Sequence, residues 1–209
     1  MRPRYLALWL LVMPVAARAQ QDPGTAPSAP STGPGVTMRS PLGFFFHVEA
    51  GGGYLRTSGS TGRTAFTTAG GALGISLGGG WAPSEEWMVG LECSSWKALS
   101  PSGLGESTSV ELDAVGVSVT RYLVPANVFA SVTVSGTRVA ITDPYGQEFG
   151  GSQIGFGFKV AIGKEWWVNP WLGMGLGGEF FFAVNRDQAG SSGTLRTLGA
   201  GLVYSLTVH

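Results

Sequence analysis

The stretch QIGFGFKVAIG, residues 153–163, decides the fold because its side chains alternate in size and polarity at every position. Five bulky apolar residues share one face: Ile154, Phe156, Phe158, Val160 and Ile162. The opposite face carries small residues and a single charge at Lys159. A period of two residues predicts a β-strand whose two faces meet different surroundings.

The same alternation recurs along most of the chain and predicts eight strands. Gly-alternating rows are clearest around Leu172–Leu176 and Leu198–Leu202. The predicted strands cover about Phe44–Leu55, Phe66–Trp81, Trp87–Trp96, Val110–Tyr122, Val128–Arg138, Gln153–Gly163, Trp171–Phe182 and Thr194–Val208.

The fourth strand leaves its orientation open. Glu111 and Asp113 share a parity with Val115, Val117 and Val119. Either these valines pack inside, or a β-bulge switches the phase between the acids and the valines.

The connections between the predicted strands alternate between short and long. Short turns are predicted at Ala82–Glu86, Leu123–Asn127 and Lys164–Pro170. Longer polar loops are predicted at Arg56–Ala65, Ala98–Ser107, Thr137–Ser152 and Asn185–Gly193. Short turns at one end and long loops at the other are typical of up-and-down transmembrane barrels.

Aromatic residues gather beside the short turns. Amphipathic rings prefer the headgroup level of a membrane, so these residues are predicted to form an interfacial girdle at one membrane edge. The predicted girdle consists of Trp81, Trp87, Tyr122, Phe129, Trp166, Trp167 and Trp171.

Charged residues fall opposite the bulky apolar rows, which is the reverse of the pattern in a soluble barrel. We therefore predict an all-β, closed antiparallel up-and-down transmembrane β-barrel of eight strands, with short periplasmic turns and longer extracellular loops. Small residues leave room in its narrow interior, and the two bases Arg121 and Lys159 are expected to bond several acids there. The predicted polar network of the lumen is His47, Glu49, Glu92, Glu111, Asp113, Arg121, Lys159 and Glu179.

The N-terminus predicts export. Arg2 and Arg4 precede an apolar run, and Ala17-Arg18-Ala19 matches a cleavage site, so residues 1–19 are predicted to be a signal peptide. Residues 20–40 are rich in Pro, Gly and Ser and predict a flexible tail, and residues 41–209 form the predicted barrel. Removing the signal leaves ten basic against thirteen acidic residues, a net charge of −3.

Composition argues against several functional classes. Charged residues make up 12% of the chain against about 25% in a typical soluble protein, and the net charge predicts no nucleic-acid partner. One cysteine and two histidines predict no disulfide framework and no metal site of the usual zinc kind. The stretch GMGLGG, residues 173–178, lies inside a strand pattern without a following helix, so no nucleotide site and no other cofactor are predicted.

Two segments resemble turns of a known family. GKEWWV at 163–168, followed by Trp171 and a Gly-alternating strand, and RYLVPAN at 121–127 are similar to turns of the small eight-stranded outer-membrane β-barrel proteins of Gram-negative bacteria. The resemblance covers Pro41–His209. It implies an outer-membrane location, contact with outer-membrane lipids including lipopolysaccharide, and insertion by the barrel-assembly machinery. Members of this family usually end in an aromatic residue, whereas this chain ends in His209.

These patterns favour a non-enzymatic outer-membrane protein with a structural role or a surface-interaction role through its loops. An extracellular ligand is not identified by any motif. One alternative is a lipid-modifying enzyme acting on lipid A acyl chains, in which His47 would serve as base beside Glu49. Another is a narrow pore or a binder of small hydrophobic solutes.

Overall fold

The computed structural model describes residues 42–61, 64–103, 108–124, 126–188 and 193–209. The predicted signal peptide (1–19) and tail (20–40) lie outside the described residues. No helix in the described part of the chain is long and apolar enough to cross a membrane.

The described residues form nine strands in one antiparallel sheet. Consecutive strands from β1 to β6 pair with each other, and so do β7, β8 and β9. β5 also pairs with β7 and β1 pairs with β9, so the sheet closes on itself. The strands are β1 (Gly43–Thr61), β2 (Thr64–Ala82), β3 (Trp87–Leu99), β4 (Ser109–Leu123), β5 (Val128–Thr142), β6 (Glu148–Gly151), β7 (Gly155–Asn169), β8 (Leu172–Arg186) and β9 (Thr194–Val208). The short strand β6 pairs with the end of β5 and lies outside the ring of eight. The predicted closed eight-stranded barrel is confirmed.

Three predicted connections are largely strand in the structure. The predicted loop at Thr137–Ser152 contains the end of β5, to Thr142, and the whole of β6. β1 continues to Thr61 and β2 begins at Thr64, so most of the predicted loop at Arg56–Ala65 is paired. β7 continues to Asn169 because Glu165 and Trp167 keep the same inward parity as Lys159. The true turn follows, where the Oδ1 atom of Asn169 accepts hydrogen bonds from the backbone N–H groups of Trp171 and Leu172, at 2.9 and 2.8 Å.

The outer wall is apolar over its middle. Large hydrophobic side chains that a soluble protein would bury are exposed here, which is the arrangement of a lipid-facing wall. They include Phe46, Tyr54, Leu73, Ile75, Leu91, Val115, Val117, Val132, Val134, Phe156, Ile162, Leu176 and Leu202. Val115, Val117 and Val119 of β4 thus face outward, with no change of phase along the strand.

The interior has three layers along the barrel axis. A small aromatic cluster around Tyr122, Phe129 and Phe45 lies at the short-turn end. Charged side chains fill the middle. An apolar core fills the loop-side half and consists of Leu55, Ala72, Trp96, Ala98, Val110, Leu112, Val139, Ile141, Phe181, Ala183 and Val203.

Candidate functional site

A buried lysine in the middle of the lumen is surrounded by carboxylates from three other strands. The Nζ atom of Lys159, on β7, lies 3.0 Å from Oε2 of Glu49 on β1 and 2.5 Å from Oε1 of Glu92 on β3. It also lies 3.2 Å from Oε2 of Glu179 on β8. All four residues are less than one tenth exposed. This cluster, which we name the Lys159 cluster, ties opposite walls of the barrel together.

The four members are not bonded equally. Thr133 donates a 2.8 Å hydrogen bond to Oε2 of Glu92, and Lys159 donates one to Glu49. Glu179 has a charge contact with Lys159, but neither of its oxygens accepts an aligned hydrogen bond from a described residue. The cluster holds more negative than positive charge, so removing its only ammonium would leave several buried carboxylates without compensation.

A second polar network connects the cluster to the short-turn end. His47 lies with Nε2 3.1 Å from Oε1 of Glu49 and with Nδ1 2.8 Å from the hydroxyl of Thr207 on β9. Thr207 donates to Oε1 of Glu165 at 2.7 Å, and the Tyr122 hydroxyl donates to Oε2 of Glu165 at 2.9 Å. Since a hydroxyl has one proton, a Thr207 that donates to Glu165 accepts from His47. Both ring nitrogens of His47 are then donors, the pattern of an imidazolium cation rather than of a base.

The lumen around these networks is closely filled. One cavity of about 20 Å³ lies between Glu92, Trp96 and Phe181, and one of about 30 Å³ lies between His47, Glu92 and Tyr122. Each has room for only one or two water molecules. Neither is large enough for an organic substrate.

Five of the eight residues predicted for the lumen network come together in the structure. They are His47, Glu49, Glu92, Lys159 and Glu179. All five face inward and form one connected set, in which Lys159 contacts the three glutamates and His47 contacts Glu49.

The other three, Glu111, Asp113 and Arg121, lie on the outer face, which corrects their predicted lumen position. Their odd parity on β4 is the parity of the exposed valines. Glu111 stands toward the loops, 3.6 Å from Lys97 and bonded to the Ser95 hydroxyl. Asp113 lies opposite Arg138 in the β4–β5 register.

Arg121 stands at the short-turn end of the outer face. Its guanidinium is 3.6 Å from Glu86 and lies over the ring of Trp87. The base therefore has an exposed partner at the membrane edge and does not contribute charge to the lumen.

The predicted aromatic girdle divides into two groups. Trp81, Trp87, Trp166 and Trp171 are about half exposed on the outer wall beside the short turns. The other three members, Tyr122, Phe129 and Trp167, are buried and point inward. Tyr122 and Phe129 face each other across β4 and β5, and their ring centroids are 5.9 Å apart. These three close the turn end of the lumen instead of contacting the membrane interface.

Sequence analysis missed several interior residues. Glu165 and Thr207 belong to the second network, and Trp96 and Phe181 stack in the loop-side core with centroids 5.3 Å apart. Glu165 could have been found from the strand alternation, because it lies six residues from Lys159 and therefore on the same inward face of β7. Among the described residues, no group of three or more His, Cys, Asp or Glu side chains is placed to hold a metal ion.

The closed wall, the apolar exterior and the charged lumen are the features of a transmembrane β-barrel. Comparison with solved structures finds the same fold. Neisserial surface protein A matches with a TM-score of 0.50 and 15% identity, over 79% of this chain and 96% of that one. OprG, an outer membrane protein of Pseudomonas aeruginosa, matches with a TM-score of 0.46 and 10% identity, over 84% and 98%. Ail of Yersinia pestis, in complex with the heparin analogue sucrose octasulfate, matches at 0.40 and 10%, over 77% and 98%.

The similarity to Neisserial surface protein A shows the fold. The chain has the architecture of the small eight-stranded outer-membrane barrels. No family model and no curated protein sequence matches the chain.

Proposed function

We propose that this protein is a non-enzymatic outer-membrane barrel whose closed lumen makes it a rigid scaffold. In this role the barrel anchors the extracellular connections between strands, and those connections make the surface contacts. The observation that carries the proposal is the Lys159 cluster, because it crosses the lumen from β7 to β1, β3 and β8.

The pore alternative is opposed by what fills the lumen. An ion that moved along the axis would have to pass the Lys159 cluster and then the apolar core around Trp96 and Phe181. Hydrophobic constrictions and narrow lumens both block conduction. The same filling argues against a solute site beside the two networks, since the two cavities described there are of water size.

The enzyme alternative has one feature in its favour. Glu49, His47 and Thr207 are arranged as an acid, an imidazole and a hydroxyl within hydrogen-bond distance. Yet Thr207 has no exposed surface, and its proton is directed to Glu165 instead of to His47. A nucleophile needs both access to substrate and a base that accepts its proton, so this arrangement favours a structural role.

Conductance of the purified protein in planar bilayers tests the proposal. We expect no channel steps beyond those of protein-free detergent, with a large porin as the positive control. Stable, reproducible conductance would overturn the scaffold role.

Two further measurements accompany the conductance experiment. The protein should migrate differently on gels before and after heating, as folded barrels do. Lipid A from cells with and without the protein should have the same mass spectrum. A new acylated or deacylated species that disappears in His47→Gln would establish the enzyme instead.

A further inference from the structure

Three arginines form a diagonal row on the outer wall at the loop side. Arg56 lies on β1, Arg196 on β9 and Arg186 on β8, and all three are exposed. Arg56 pairs with Leu198 of β9, and Arg196 lies two residues from Leu198 on the same face. In the same way, Arg196 pairs with Val184 of β8, and Arg186 lies two residues from Val184. Diagonal neighbours of this kind are about 7–8 Å apart at the backbone, within reach of long side chains. The three guanidinium groups can therefore converge on one anionic group.

This row differs from the basic residues on the β3–β6 side of the outer wall in lacking acidic partners. In the described parts of the chain, none of the three arginines forms an ion pair. By contrast, Lys97 pairs with Glu111 and Arg138 pairs with Glu148 on the β3–β6 side of the barrel. Positive charge is thus neutralised on one side of the wall and left available on the other.

The height of the row matches the headgroup level of the membrane. Exposed apolar residues on β1 extend from Phe44 at the turn end to Tyr54. Ten residues at about 3.3 Å each, on a strand tilted by about 40°, span roughly 25 Å, the height of the apolar band of such barrels. Arg56 is the next outward-facing residue beyond Tyr54, so the row lies just above the hydrocarbon.

An apolar groove lies below the row, on the same three strands and on the adjoining strand β7. It has a volume of about 520 Å³ and is lined by Ala50, Ile162, Leu176, Gly178, Leu202 and Tyr204, among others. Gly178 gives it depth, because this outward-facing position has no side chain. Leu202 is six residues from Arg196 on the same face of β9, which places the groove roughly 15 Å deeper in the membrane.

We propose that the arginine row and the groove together bind one lipid of the outer leaflet that bears phosphate on its headgroup. Arginine recognises phosphate through paired hydrogen bonds, and an acyl chain is long enough to reach from the row into the groove. The lipid site rests on the proposed function, in which the barrel lies in the outer membrane. The proposal adds to that role a defined lipid site on β1, β7, β8 and β9.

Native mass spectrometry of the protein in detergent, titrated with diphosphorylated lipid A, tests the site. We expect one lipid to bind, and the triple variant Arg56→Gln, Arg186→Gln, Arg196→Gln to bind about 100-fold more weakly. The factor of about 100 follows from a roughly fivefold change in affinity for each basic residue at a membrane surface, taken over three arginines. The matched control, Lys97→Gln with Arg138→Gln, removes paired cations at the same height and should bind as the unchanged protein does.

The groove has its own variant and its own probe. A Cβ atom at Gly178 would meet nothing closer than 3.9 Å, so Gly178→Phe fills the groove without disturbing the backbone. It should weaken lipid A binding but leave the binding of inositol hexaphosphate, a soluble polyanion, unchanged.

Several outcomes would overturn the proposal. The first is that enzymatically dephosphorylated lipid A binds as tightly as the diphosphorylated form. The second is that the Lys97/Arg138 control loses as much affinity as the triple arginine variant. The third is that Gly178→Phe has no effect on lipid A binding while inositol hexaphosphate binds in an arginine-dependent way. The last outcome would show a site for soluble polyanions. Heat-dependent gel migration of every variant reports folding separately, and conductance tests the scaffold role independently.

Discussion

At the residue scale, Lys159 is the side chain on which most of the interior depends. Its ammonium contacts carboxylates from three strands, and no other cation among the described residues touches Glu92 or Glu179. Replacing a buried cation by an apolar group typically costs about 3–5 kcal/mol when its partners stay charged, whereas an exposed pair is worth about 0.2–1 kcal/mol.

We therefore expect Lys159→Met to lower the free energy of unfolding by about 3–5 kcal/mol. The measurement is urea-induced unfolding in lipid vesicles, followed by the loss of heat-dependent gel migration. Arg138→Gln, which removes an exposed pair with Glu148, is the matched control and should change it by less than about 1 kcal/mol.

Neutralising the carboxylates provides a rescue of that variant. Glu49→Gln, Glu92→Gln and Glu179→Gln added to Lys159→Met should restore much of the lost stability, because a buried cluster can be replaced as a whole at little cost. An unchanged midpoint in Lys159→Met alone would contradict a structural role for the cluster.

At the scale of single strands, glycine makes space for large inward side chains from neighbouring strands. Gly74 on β2 lies opposite Trp96 on β3, and a Cβ atom at Gly74 would overlap the indole ring. Gly199 on β9 lies in the same way beneath Phe181. The glycine rows are thus the complement of the loop-side core.

Gly74→Ala is expected to reduce the free energy of unfolding by about 1–3 kcal/mol, the usual effect of overpacking. Gly71→Ala on the same strand is the control, since a Cβ atom there would meet nothing within 4 Å. Both variants can be compared by the urea concentration at half-unfolding. Equal midpoints would mean that Trp96 moves aside freely.

Much of the strand pattern was predictable from sequence because glycine alternation marks the inward face directly. The inward orientation of the five residues that meet in the lumen was predictable, because each lies on the same strand face as Gly or Ser residues on β1, β3, β7 or β8. Parity does not say where along a strand the hydrocarbon ends. For that reason Glu111 and Asp113, which share the outward parity of Val115, were assigned to the lumen although they lie on the outer wall toward the loops.

The aromatic residues show a second limit of sequence reasoning. Trp166 and Trp167 are adjacent, so one must face out and the other in, yet proximity to a turn assigned both to the girdle. Strand β8 contains three consecutive phenylalanines, Phe180, Phe181 and Phe182. Because all three are apolar, their hydrophobicity does not indicate which of them faces the lumen. The parity of Gly173 and Glu179 would have placed Phe181 inside.

At the scale of the whole molecule, the barrel has an asymmetric distribution of tryptophan. Trp81, Trp87, Trp166 and Trp171 are exposed at the short-turn edge, whereas Trp96 and Trp167 are buried in the lumen. Fluorescence therefore reports the position of one membrane interface.

In vesicles containing brominated lipids, we expect stronger quenching by bromine near the headgroup than by bromine near the chain ends. An unquenched fraction should remain, and it should become smaller in Trp96→Phe because that residue faces the lumen. Maximal quenching by bromine at the bilayer centre would contradict the placement of these residues at the interface.

Two of the three partners of Lys159, Glu49 and Glu92, have a consequence for assembly, because they are far from it along the chain. Lys159 and Glu49 are separated by 110 positions, and they meet only when β1, β7, β8 and β9 stand side by side in a closed wall. A hairpin of β7 and β8 would bring Glu179 to Lys159, but an open row of strands would present Glu49 and Glu92 to hydrocarbon without that counterion. Half-inserted states of this chain are therefore disfavoured, and the last strand to arrive both completes the ring and neutralises its interior.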